Sequence, residues 1–328
     1  MNRILGIGNA LVDIMTRIDN DAFLESVALP KGSMQLVDHN FIESLRPHIS
    51  GFKKSMSAGG SAANTINGLA HLGIKSGFIG VVGDDDEGHY FADDMKKAGI
   101  VPHLFTSTHK SGVAVAFVSP DSERTFATFL GAAIELNDAQ LDDKLLEVYD
   151  LIYIEGYLVQ NYDLIKNMML KAKAKGLKIA LDLASYNIVE AHLDFIKHLV
   201  EDYVDIVFAN EEEAKAYTGK TPREALDILA EHTEIAIVKT GPKGSIIKHN
   251  NKVYYAQSLG RKCIDSTGAG DLYAAGFLYG LVNKLPVDVC GKIGSIVSGH
   301  VIEVIGSKID TEKWVDIKKM IKPLITNS

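Results

Sequence analysis

Seven consecutive residues, Asp265-Ser266-Thr267-Gly268-Ala269-Gly270-Asp271, lead straight into an apolar, small-residue stretch, LYAAGFLYGL. Glycines just ahead of a helix let its free backbone N–H groups approach an anion closely. A carboxylate in the first helical turn can take a proton from an attacking hydroxyl. One short segment thus offers amides for developing negative charge (Gly268, Ala269 and Gly270) beside a general base, Asp271, which are the parts a phosphoryl transfer needs. A bare GxGD is more often a glycine turn with a favourable first-turn aspartate. The seven-residue string and the small-residue helix behind it favour the chemical reading.

A second string, Ala58-Gly59-Gly60-Ser61-Ala62-Ala63-Asn64, also opens a helix. Its paired glycines admit a polar ligand to backbone amides. Asn64 supplies both a donor and an acceptor for hydroxyl groups, while Ser61 taken alone reads as an ordinary helix cap. The segment Gly6-Ile7-Gly8-Asn9-Ala10-Leu11-Val12-Asp13 fails as a dinucleotide fingerprint, because Leu11 stands where the third glycine belongs and no helix follows. That failure speaks against a nicotinamide oxidoreductase. Read as a strand end, the segment brings Asn9 and Asp13 to the mouth of a sheet, where a carboxylate can accept from two hydroxyls. Asn210-Glu211-Glu212-Glu213 fits a capping box, with Asn210 as the cap and Glu213 three residues on. Val238-Lys239-Thr240-Gly241-Pro242-Lys243-Gly244 is a glycine/proline turn. No GxxxxGK[ST] string occurs, so a Walker-type phosphate loop is absent.

Apolar strand-like runs alternate with helical spacing through most of the chain. Strands are expected over 3–8, 78–82, 151–155, 178–182, 205–209 and 235–239. Helices are expected over 61–72, 84–98, 160–175, 189–199, 211–218 and 222–232, with three more over 269–283, 286–304 and 311–325. Strand runs this apolar imply a mostly parallel sheet covered on both faces by helices, hence an α/β fold in one domain over 1–328. Two segments interrupt the rhythm, roughly 13–36 and 101–130. The second contains β runs at 113–118 and 124–130 around a Pro120-Asp121-Ser122-Glu123 turn. Together they are expected to pair as a small β subdomain that acts as a lid.

Bulk composition narrows the partners. The 328 residues carry a net charge of −8 with no basic block, which argues against nucleic acid. No apolar run reaches membrane-spanning length, and the N-terminal run lacks a cleavage site, so a cytoplasmic protein with a small-molecule substrate is expected. The two cysteines, Cys263 and Cys290, form neither a disulfide framework nor a zinc site and read as buried thiols. Asp84-Asp85-Asp86 reads as a solvated helix-start cluster and Trp314 as packing.

The DSTGAGD string followed by AAGF resembles the C-terminal signature of the ribokinase-like (PfkB) carbohydrate and nucleoside kinases, with Ser266 where that family usually has Thr. The GGSAAN segment resembles its N-terminal signature, although Asn67 is polar where the family tends to be small or apolar. The resemblance implies a ribokinase-like fold with a β lid, ATP and Mg2+ as cofactors, and Asp271 as the base. It implies that Asn9, Asp13, Gly59, Gly60 and Asn64 hold the sugar hydroxyls. It also implies that Asn210 and Glu213 act on Mg2+ and phosphate through water, and that Thr240, Gly241 and Gly244 lie by the nucleotide phosphates. K+ binding near Asp265 occurs in some members. GNALVDI, FANEEEAKAYTG and RTFATFLGAA are similar to adenosine kinase-like members. That likeness implies contacts to a base from Leu11, Gln35 and Phe126, an adenine-side position for Ser295, and an Arg124 that reaches from the lid toward the transferring phosphate. Adenosine is then the expected acceptor. The alternatives are a sugar kinase for ribose, fructose or a ketodeoxy-sugar acid, and more distantly a non-catalytic nucleoside- or sugar-binding protein. Either a monomer or a lid-mediated homodimer is compatible with the family.

Overall fold

The computed structural model describes residues 3–121 and 123–326. Ser122, in the expected turn, lies outside them. Fourteen strands occur among the described residues: β1 (Arg3–Ile7), β2 (Leu11–Arg17), β3 (Met34–Leu36), β4 (Lys54–Gly59), β5 (Lys75–Gly83), β6 (Val101–Ser107), β7 (Gly112–Val118), β8 (Arg124–Phe129), β9 (Leu151–Glu155), β10 (Lys178–Asp182), β11 (Ile206–Asn210), β12 (Ile235–Lys239), β13 (Ser245–His249) and β14 (Lys252–Ala256). They form two sheets. The larger has the order β14-β13-β12-β11-β10-β9-β1-β5-β6 and the smaller β3-β8-β7-β2-β4. From β12 to β6 every pair in the large sheet is parallel, and only the β12-β13-β14 end is antiparallel.

The helices are α1 (Ala22–Ser26), α2 (His39–His48), α3 (Ser61–Leu72), α4 (Asp86–Lys97), α5 (Asp143–Leu146), α6 (Tyr162–Ala174), α7 (Tyr186–Ala191), α8 (Leu193–Asp202), α9 (Glu211–Thr218), α10 (Pro222–Leu229), α11 (Ala269–Val282), α12 (Val287–Val301) and α13 (Thr311–Thr326). They cover both faces of the large sheet. Alternation along each strand splits its side chains between two cores. Tyr153 and Phe208 join α3 and α11 on one face, whereas Ile152, Ile154 and Val207 join α6 and α8 on the other. The first of these cores also takes in Val12, Val113 and Phe117 from the small sheet, so the two sheets share packing.

Several boundaries differ from the sequence reading. The lid was expected to include everything from 101 to 130, but β6 runs parallel to β5 in the large sheet. The helix α4 between them makes an ordinary crossover unit, so the small sheet resumes only at Gly112. The small sheet also recruits β4, which pairs antiparallel with β2. Its sequence, KSMSAG, has little β character of its own and is drawn in by pairing. The helix expected over 189–199 is two helices, α7 and α8, meeting at His192. The β13–β14 hairpin turns at Asn250-Asn251, both with positive φ (50° and 59°). Asn tolerates that conformation better than most residues. Cys290 is buried as expected, but Cys263 is exposed because it lies in the irregular 257–268 segment. Asp85 is more than a solvated charge, since its carboxylate accepts from the N–H groups of Gly88 and Ser111 and from the Ser111 hydroxyl. Trp314 is buried and stacks on His71.

The small residues of α11 serve close packing against α12. A Cβ on Gly276 would lie 2.7 Å from the Ile293 carbonyl oxygen and 2.8 Å from Gly294 Cα. Gly276→Val is therefore expected to push the two helices apart. Its cost is about 1–3 kcal/mol, as for other overpacked cores, and is read as a lower urea midpoint with an unchanged m-value.

Candidate active site

Parallel strands end at one edge of the sheet, and polar residues that close apolar strands converge there. Glu155, the last residue of β9, is in register with Asp182, the last of β10, and Asn210, the last of β11, is in register with Lys239, the last of β12. Above that edge, under the small sheet, lies a cavity of about 690 Å³. Its lining brings together Asn9, Leu11, Asp13, Gly60, Asn64, Phe126, Asn210, Glu213, Gly241, Gly244, Gly268, Ala269, Gly270, Asp271 and Ser295.

Asp271 sits in the first turn of α11, held against the first turn of α3. Ser61 Oγ donates to its Oδ1 at 2.7 Å and Asn64 Nδ2 to its Oδ2 at 3.0 Å. Ser307 Oγ donates to Asn64 Oδ1 at 2.7 Å, which fixes the amide so that its nitrogen faces the aspartate. Gly268 precedes α11 at φ +71° and Gly60 precedes α3 at φ +92°, left-handed conformations that favour glycine. Withdrawal from water pushes the Asp271 carboxyl up to about 6, against the lowering pull of the Asn64 and Ser61 hydrogen bonds.

Other carboxylates respond to the same enclosure. Burial raises Glu155 to about 7, although the Ala62 amide and both nitrogens of Asn9 donate to it at 2.8–3.0 Å. Burial likewise raises Asp13 to about 7, opposed by nearby Lys308 and reinforced by Asp271. Glu213 is pushed above its usual range by burial, opposed by Lys239.

Asn210 and Glu213 form the expected capping box. Glu213 N donates to Asn210 Oδ1 at 2.8 Å, while Asn210 N and Nδ2 donate to the two Glu213 oxygens at 2.7 and 2.6 Å. Both Glu213 oxygens are thereby engaged, and among the described residues no cluster of three or more His, Cys, Asp or Glu side chains forms a metal-ligand set. A carboxylate engaged in this way suits contact through water with a hydrated Mg2+, the form in which that ion usually accompanies a nucleotide.

Four expected site residues lie off the cavity wall. Met34 and Leu36 line it, whereas Gln35 between them does not, because a strand turns alternate residues to opposite faces. Gly59 lies beneath Asp13, where a Cβ would overlap the carboxylate, so its part is to leave room. Thr240 closes its turn by donating its N–H to the Gly244 carbonyl, and its neighbour Lys239 lines the cavity instead. Arg124 donates to Thr267 Oγ1 at 2.8 Å and Ser266 Oγ at 2.9 Å and pairs with buried Asp265 at 3.2 Å. It ties the small sheet to the glycine-rich segment from the side. The reading of single motifs missed Glu155, Asp182, Lys239, Met34 and Leu36. The first three share one signal, a charge that closes an apolar strand run.

The family model described as pfkB family carbohydrate kinase matches residues 33–314. The chain belongs to the pfkB family of carbohydrate kinases. The kinase superimposes on an adenosine kinase from Sinorhizobium meliloti with a TM-score of 0.88 and 32% identity, covering 97% of this chain and 99% of that one. A probable sugar kinase protein from Rhizobium etli gives 0.89 and 31%, covering 97% and 98%. A 5-dehydro-2-deoxygluconokinase from Bacillus subtilis is 26% identical over 302 residues, 87% of this chain and 93% of that protein. The kinase is accordingly an ATP-dependent enzyme acting on a sugar or nucleoside. No helix among the described residues is long and apolar enough to cross a membrane.

The raised carboxyls give the ligand-free kinase a testable pH dependence. A carboxyl whose folded pKa is raised binds protons more tightly when folded, so its contribution is fully present below the unfolded value and is lost as pH rises through the folded one. For Asp271 that window runs from about 4 to about 6. Asp271→Asn, which cannot ionise, is expected to gain stability relative to wild type on going from pH 4.5 to 8, on the order of 1–2 kcal/mol. Denaturant titrations at the two pH values measure it.

Proposed function

We propose that the kinase transfers the terminal phosphoryl group of ATP to the primary hydroxyl of a nucleoside, with adenosine as the preferred acceptor and Asp271 as the general base. The carrying observation is the character of the wall that the small sheet turns toward Asp271. Leu11 and Asp13 of β2, Ala114 of β7, Phe126 and Thr128 of β8, and Met34 and Leu36 of β3 all line the cavity. Register explains their common face: Asp13 pairs with Ala114, Ala114 with Thr128, Leu36 with Thr128, and Met34 with Phe126. One carboxylate among apolar neighbours suits a ribose whose hydroxyls meet Asp13 and whose planar base lies on Phe126, Met34 and Leu36. Among the described residues the lining carries one cation, Lys239, and that is tied to Asp182. A sugar acid would bring a carboxylate beside Asp13, where the nearby Lys308 is already paired with Asp94.

In this reading the acceptor is enclosed between the two sheets, which excludes water. Asn9, Gly60 and Asn64 meet the sugar, and Asp271 takes the hydroxyl proton. The amides of Gly268, Ala269 and Gly270 meet the charge that develops on the moving phosphoryl group. Asn210, Glu213, Gly241, Gly244 and Ser295 line the nucleotide side, with Thr240 bracing the turn behind it. Mg2+, bound with the nucleotide, supplies further charge neutralisation. Arg124 holds the lid against the 265–267 segment and stands ready to meet phosphate oxygens.

ADP release with Mg-ATP is measured against adenosine, inosine, guanosine, ribose, fructose and 5-dehydro-2-deoxygluconate. Adenosine is expected to be turned over best, with kcat/KM falling on the acid side near the Asp271 value of about 6. Asp271→Asn should lose about 10²–10⁴-fold, as positioned bases do. Preferred turnover of a free sugar or sugar acid would refute the nucleoside assignment, and full activity in Asp271→Asn would refute the base. A second outcome follows from the wall: Phe126→Ala should raise the adenosine KM roughly five- to 150-fold, since base–aromatic stacking contributes about 1–3 kcal/mol, while the KM for ATP changes little.

A further inference from the structure

We propose that Lys239 is a catalytic residue of this kinase, holding a fixed ammonium against the phosphoryl group as it moves over the amides of 268–270. Lys239 closes β12 and lines the cavity with its side chain 14% exposed. Its Nζ crosses to Asp182 at the end of β10, donating to Oδ2 at 2.8 Å. The same Nζ lies 3.1 Å from where a Cβ on Gly270 would stand. The ammonium is therefore seated beside the third residue of the amide cradle, and the missing side chain of Gly270 is what admits it. An ammonium has three N–H donors. Asp182 takes one, and among the described residues no other protein acceptor is within hydrogen-bond distance of Nζ.

The surrounding charges make a fixed cation necessary at this place. Asp182, Glu213 and Asp271 all line the cavity wall near Lys239 and act on it electrostatically. A polyphosphate that approaches this wall meets three acidic side chains. Lys239 is the one lining cation among them, and Asp182, itself anchored by the Ala184 N–H at 2.9 Å, holds it in place before any ligand arrives. A donor fixed in advance where charge develops lowers the barrier without reorganisation. Arg124 approaches the same glycine-rich segment from the small sheet, at Ser266 and Thr267. Lys239 thus stands beside Gly270, at the far end of the segment from the Arg124 contacts.

A purely structural pair would brace β10 to β12 across β11, and replacing both members of such a pair is often neutral. The two roles separate in the kinetics of three variants, each checked for folding by thermal melting. This test rests on the phosphoryl group lying over 268–270. Asp182→Asn keeps the ammonium and should retain kcat within about tenfold. Lys239→Met combined with Asp182→Asn removes both members of the pair together. It should lose a further ~10²–10³-fold in kcat, the cost of removing one donor from a transition-state charge, with the acceptor KM within about threefold. Lys239→Gln, which removes the charge and ends one atom short of the ammonium, should show the same loss by an independent route. A double variant as fast as Asp182→Asn, or a Lys239→Gln enzyme at wild-type kcat, overturns the proposal. Asp271→Asn run alongside keeps the causes apart. If it is inactive while the Lys239 variants are not, only the role of Lys239 falls; if it is fully active, the reading of 268–271 falls first.

Discussion

Two helix N-termini meet at one carboxylate, and the site is organised around that meeting. Ser61 and Asn64, in the first turn of α3, donate to Asp271 in the first turn of α11, and Thr65 Oγ1 donates to the Asp271 carbonyl. Helix N-termini carry partial positive charge and, with two hydrogen bonds, would depress an exposed aspartate. The Asp271 carboxyl instead stands near 6, because enclosure outweighs both. A carboxylate of that strength is ionised at neutral pH yet keeps enough basicity to receive a proton, which suits the proposed role of general base. Burying the two helix starts against each other achieves this, and among the described residues Asp271 makes no direct ion pair.

The clasp depends on supports further out. Glu155 binds the Asn9 and Ala62 amides, and so fixes the strand-end loop after β1 and the entry to α3 relative to β9. Gly68 in α3 lies so close to Ala275 and Leu272 of α11 that a Cβ would stand 2.7–2.8 Å from their side chains. The loop after α12 closes the ring. Ser307 orients Asn64, and Gly306 N donates to Asp265, which also holds Thr267 and pairs with Arg124. A displacement of either helix start would thus be felt by both signatures and by the lid.

What could be read from the sequence was what lies contiguous in it. The 58–64 and 265–271 strings and the Asn210–Glu213 box each carry glycine or cap chemistry within a few residues, and α3, β9, β10, α9 and β12 have the bounds their periodicity predicts. Residues that act through neighbours on other strands were not legible as motifs. Glu155, Asp182 and Lys239 each end an apolar run, and only the parallel register places them side by side. Gln35 was one residue out of phase, which in a strand means the opposite face. The 54–59 strand is too weak in β character to announce itself, and β6 was misassigned to the lid because a β-rich stretch looks the same whichever sheet it joins.

The division between the two sheets bears on why members of one family carry such different acceptor names. The amide cradle, Asp271 and the capping box all rise from the large sheet and its helices, whose strand ends are fixed by parallel pairing and by two cores. The apolar contacts opposite them come from alternate positions of β2, β3, β7 and β8. A substitution at Leu36, Ala114 or Phe126 changes the acceptor wall and leaves the register of the phosphate side untouched, because no large-sheet strand passes through those positions. In the proposed reading, acceptor choice can therefore vary on the small sheet while the chemistry stays constant on the large one. Asp13 belongs to β2 but sits over Gly59 and feels the charges of both Lys308 and Asp271. It is the point at which a change in the wall would begin to disturb Asp271, the base in the proposed reading, so variation in the wall has most freedom farthest from it, at β3.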